Sequence, residues 1–146
     1  IYYYIMNNEL YQNNFYILKY DTNILYIKFY NIEYKNNNID TILNNFFREL
    51  DIFYKKREIN NNKFGKIYDI TDLNLMPLEF LHKFSKGLNN FRERTDNIVV
   101  SSSVIIKNFY IKNLLNIFLG LYNNTRPLEV FDNLTDSKNF IYKYIV

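Results

Sequence analysis

Between residues 24 and 53 the apolar residues change their period, and that change constrains the fold more than any other feature of the chain. Over 24–34, Leu25, Ile27 and Phe29 alternate with Tyr26, Lys28 and Tyr30. Period two places the two sets on opposite faces of a strand. Over 39–53, Ile39, Ile42, Leu43, Phe46, Phe47, Leu50 and Phe53 recur at spacings of three and four. That spacing makes one wide apolar stripe along a helix. Asn38 precedes the stripe, and its side chain suits a helix N-cap.

The same switch repeats along the chain. Residues 15–20 form a strand that pairs with 24–34 across the turn-forming trio Asp21-Thr22-Asn23. A third strand runs over 63–70. Pro77 then opens a helix carrying Leu81, Phe84, Leu88 and Phe91, with Gly87 inside it where close packing is the usual reason for glycine. A buried strand over 98–106 encloses Ser101-Ser102-Ser103, which we expect at its polar end, capping the next helix. That helix starts at Asn108. A last short strand covers 127–131, and Asn133 with Asp136 forms a capping-box-like start to a final helix. The order β-β-α-β-α-β-α-β-α predicts a single α/β domain. Its mixed, mostly parallel sheet has an N-terminal antiparallel hairpin and about four helices. Residues 1–12 are expected to be an N-terminal arm or an extra edge strand, and 13–146 the α/β domain.

Composition narrows the function. The chain of 146 residues suits one core, and 48% of its residues are hydrophobic, enough to fill it. It holds 15 Tyr and 13 Phe and is rich in Asn, Ile and Lys, all encoded by AT-rich codons. An AT-rich genome, such as that of some large DNA viruses or protists, accounts for this and for the short Asn runs. Net charge is only +3, from 18 basic and 15 acidic residues, too little to point to nucleic acid. The one compact basic cluster, Lys55-Lys56-Arg57, falls at a helix end, where cations suit the macrodipole. Cysteine is absent, which removes disulfides, thiol catalysis and most structural zinc sites and fits an intracellular setting. No apolar run approaches the roughly 20 residues of a membrane span. We therefore expect a chain that is soluble or part of a large assembly, with association to a membrane complex left open.

Two segments resemble the STAS domain, the anti-sigma-factor antagonist fold, over about residues 14–142. Ile67-Tyr68-Asp69-Ile70-Thr71-Asp72-Leu73 is similar to that family's strand ending in an Asp-Leu-Ser-Gly-like turn. Residues 126–137, RPLEVFDNLTDS, resemble its final strand and the start of its last helix. The resemblance implies a regulatory protein-binding module. In that family a serine later in the turn accepts phosphate. Here the corresponding Asp-Ser pair falls on Pro77 and Leu78, so the acceptor is missing. Thr71 matches the earlier serine of the turn, where a hydroxyl commonly bonds its own backbone.

The candidate chemistry is sparse. Asp69 and Asp72 stand at the carboxyl end of a parallel strand, where α/β folds place ligands, with Glu79 in the following helix. Such acids can do acid–base work or hold a divalent cation. They can equally bond the amides of their own loop. His82 is the only histidine, and three glycines supply neither a P-loop nor a dinucleotide fingerprint. No cofactor or metal is expected. Tyr26, Tyr30 and Tyr34 stand four apart, in phase with the strand's period of two, on its polar side and are read as an exposed, adhesive face. With Thr71, Asp72 and Asn74 of the turn they are the interaction candidates. The expected activity is non-enzymatic binding of a protein partner or of a second copy, with nucleic acid disfavoured. The alternative is a small-ligand or metal-dependent enzyme using the acids from Asp69 to Glu79.

Overall fold

The computed structural model describes residues 2–5, 8–31, 38–73, 77–121 and 126–145. They form one seven-stranded sheet with five helices in the order β1 (Tyr2–Ile5), β2 (Asn8–Gln12), β3 (Tyr16–Asp21), β4 (Ile24–Phe29), α1 (Ile39–Asn60), β5 (Phe64–Asp69), α2 (Leu78–Asn90), α3 (Arg92–Thr95), β6 (Val99–Ile105), α4 (Phe109–Leu121), β7 (Leu128–Phe131) and α5 (Leu134–Tyr142). The expected α/β architecture is present. The spatial order of the strands is their order in the chain, β1 to β7. β1 to β4 pair antiparallel, and β4 to β7 pair parallel. The sheet is thus evenly mixed rather than mostly parallel, because the first twelve residues supply two strands.

Local chemistry explains the joints. β3 and β4 meet through Thr22 and Asn23, both at positive φ, the two-residue turn whose twist matches a hairpin. Asn38 caps α1 as expected, its side chain accepting from the amides of Asp40 and Thr41 at 2.9 and 3.3 Å. Asn133 caps α5 by accepting from the Asp136 amide at 2.8 Å.

Because the parallel strands advance in one direction, right-handed crossovers put their connecting helices on one side. Tyr16, Leu18 and Tyr20 of β3, Leu25, Ile27 and Phe29 of β4, and Phe64 and Tyr68 of β5 pack there with α1, α2 and α4 in the main core. Aromatic rings dominate it: Phe46 lies 5.2 Å from Phe29, and Phe53 lies 5.1 Å edge-on from Phe64. Gly87 is where Phe47 presses on α2; a Cβ there would sit 2.1 Å from the ring.

The opposite side is covered by α5, whose Phe140 and Ile141 close over Ile24, Ile67 and Ile105. The serines of β6 depart from expectation. They lie within the strand, fully buried, and cap no helix. Ser103 Oγ instead bonds Ser137 Oγ of α5, so small side chains here let the helix settle on the sheet.

Candidate functional site

At its carboxyl end β5 runs into a tight turn, with the Leu73 amide bonded to the Ile70 carbonyl at 3.2 Å. Asp69, 7% exposed, organises this turn. Its Oδ1 accepts from the Thr71 amide at 3.0 Å and from Thr71 Oγ1 at 2.7 Å. Its Oδ2 accepts from Tyr26 Oη on β4. Asp72, on the exposed side of the turn, pairs with Lys28 of β4 at 3.2 Å. Burial, then the Asp69 carboxylate, drives the Tyr26 hydroxyl far above the usual tyrosine range, so it stays a proton donor.

The strand register extends this turn into a surface. Leu10, Lys19, Tyr26 and Ile67 form one row across β2 to β5, and Gln12, Ile17, Lys28 and Asp69 form the next. On β3 the burial alternates. Tyr16, Leu18 and Tyr20 are buried, Ile17 is half-buried, and Lys19 and Asp21 are exposed. The side of β2 and β3 away from the main core is therefore open, beside the ground that α5 occupies.

The sequence candidates fall into place unevenly. Tyr26, Thr71 and Asp72 come together through Asp69 and Lys28, two groups that sequence spacing kept apart. Tyr26 and Tyr30 are half-buried rather than exposed, because Tyr26 leans onto Asp69 and packs by α5, while Tyr30 Oη accepts from Gln12 Nε2 at 3.1 Å. Tyr34 and Asn74 lie outside the described residues. Glu79 is not part of the turn's network; with Asp40 it pairs with Lys83. His82 is exposed on α2. Lys55 pairs with Asp51, and Lys56 and Arg57 with Glu9, so the basic cluster is committed to ion pairs within the fold. Among the described residues no cluster of three His, Cys, Asp or Glu is placed to hold a metal, and no helix is long and apolar enough to cross a membrane.

Two features escaped the sequence reading. Glu9 is a buried carboxylate in a segment that carries no marked pattern. Lys66 is a buried lysine between Phe64 and Tyr68. The signal for it was present, since period two puts all three residues on one face. No protein-family model, curated protein or solved structure matches the chain.

Proposed function

We propose that this chain is a STAS-like, noncatalytic α/β binding module, acting as a scaffold, regulatory or assembly subunit of a larger complex inside the cell. Its contact surface is the open side of β2 and β3 with the adjoining β4–β5 edge: Ile17, Lys19, Lys28, Tyr30 and the turn at Thr71 and Asp72. The single observation that carries this reading is the alternation on β3. Ile17, Lys19 and Asp21 put apolar and charged side chains together on a side of the sheet where a covering layer would otherwise sit. Tyrosine beside charged and aliphatic groups is a composition that suits interfaces.

The acids from Asp69 to Glu79 give the competing enzyme reading less support. Both Asp69 oxygens are occupied by protein donors, and Asp72 and Glu79 each pair with a lysine. Light scattering and pull-down test the proposal. A mass above that of the monomer, or a captured partner, is expected, and Ile17→Glu with Lys19→Glu should abolish it without unfolding the chain. A monomer at every concentration, with no partner retained, overturns it.

A further inference from the structure

Lys66 stands in the middle of β5 and points into the main core, 3% exposed. Its Nζ lies 3.0 Å from Tyr54 Oη of α1. It sits 5.3 Å from the centre of the Tyr68 ring and 5.7 Å from that of Tyr54. Its register neighbours are Leu25 on β4 and Ser102 on β6, both uncharged. The charged residues of α1 flanking Tyr54 are engaged elsewhere: Asp51 with Lys55 and Arg94, Glu58 with Arg94, Arg57 with Glu9. An ammonium ion here gives up its water and gains only two ring faces and a phenol oxygen. A buried charge so placed is held at high cost, and the group favours its neutral form instead. The neutral amine also offers a lone pair to the Tyr54 hydroxyl, which the ammonium lacks.

We propose that Lys66 is an acid-sensitive latch between α1 and the central strand β5: the core seats it as a neutral amine, and taking up a proton there loosens α1 on the sheet. Burial alone pushes its pKa down from 10.5 to about 7, with no charged side chain contributing. The unfolded chain keeps this proton up to its own, higher pKa. Between the two values the unfolded state binds more protons, so stability rises with pH across that window. This one group gives a tenfold change in the unfolding constant per pH unit, about 1.4 kcal/mol. Below pH 7 both states carry the proton and the slope from Lys66 ends. Tyr16, Tyr20 and Tyr26 act in the opposite sense. Burial raises all three, so above about pH 10 the unfolded chain loses their protons first and stability falls.

Urea titrations from pH 7 to 9.5 of the wild type, Lys66→Met and Lys66→Gln test the latch, together with a pH titration of lysine side-chain carbons by NMR. A midpoint that rises with pH in the wild type and stays flat in the variants is expected, with one lysine titrating near neutrality. A flat wild-type profile, variants that keep the slope, or lysines that all titrate near their ordinary value would overturn it. If neither variant folds, the NMR titration of the wild type decides alone.

Discussion

Glu9 Oε1 of β2 and Arg57 Nη2 of α1 meet at 2.7 Å, both side chains less than a tenth exposed. The guanidinium also lies 4.0 Å above the Tyr20 ring and 4.7 Å above that of Phe53. This contact ties the N-terminal strands to the helix that roofs the core.

Removing one partner of such a pair strands the other. Glu9→Gln should lower unfolding free energy by about 3–5 kcal/mol in urea, whereas the double change Glu9→Leu with Arg57→Met should cost clearly less than the two singles added. An exposed pair would show neither effect.

The Tyr26–Asp69–Thr71 network sets a second expectation. Tyr26→Phe keeps the ring and removes a donor to a buried carboxylate, for a loss of about 1–3 kcal/mol. Combined with Thr71→Val the losses should be non-additive, measured as a coupling in a double-mutant cycle. Strict additivity would show that the two donors act independently.

Gly65 is the point where α5 comes down on β5. A Cβ there would meet Ile141 Cγ2 at 2.2 Å. Gly65→Ala should therefore destabilise by about 1–3 kcal/mol, and the same change made in an Ile141→Ala background should cost less. Thermal unfolding of the four proteins reads both terms.

Thr22 holds φ at 50°, a conformation that penalises a β-branched residue. Thr22→Asn should stabilise the hairpin by about 0.5–1 kcal/mol, since Asn tolerates this turn. An unchanged or lower midpoint in urea would refute the strain.

The periods of the apolar residues made the sheet and helices legible, because burial on one side of an element leaves a regular trace. Asn38 and Asn133 were readable as caps for the same local reason. So was Asp69 accepting an amide of its own loop, that of Thr71, whereas the Thr71 hydroxyl, expected on the backbone, donates to the Asp69 carboxylate instead. Long-range chemistry left no such trace. Glu9 makes sense only beside Arg57, and Ser103 of β6 only beneath α5. Lys66 was hidden by its charge, which argues for the surface until the flanking Phe64 and Tyr68 are counted with it. Tyr26 looked exposed because the carboxylate that draws it in lies 43 residues further on. α3, at four residues, is too short to show a period.

The order of the strands carries a consequence for how this chain matures. Each strand pairs only with those that precede and follow it in synthesis, so no strand has to insert between two that are already paired. Such local pairing favours rapid folding and lets the sheet grow as the polypeptide leaves the ribosome. α5, which follows β7, packs over β5, β6 and β7 and so clasps strands already paired side by side.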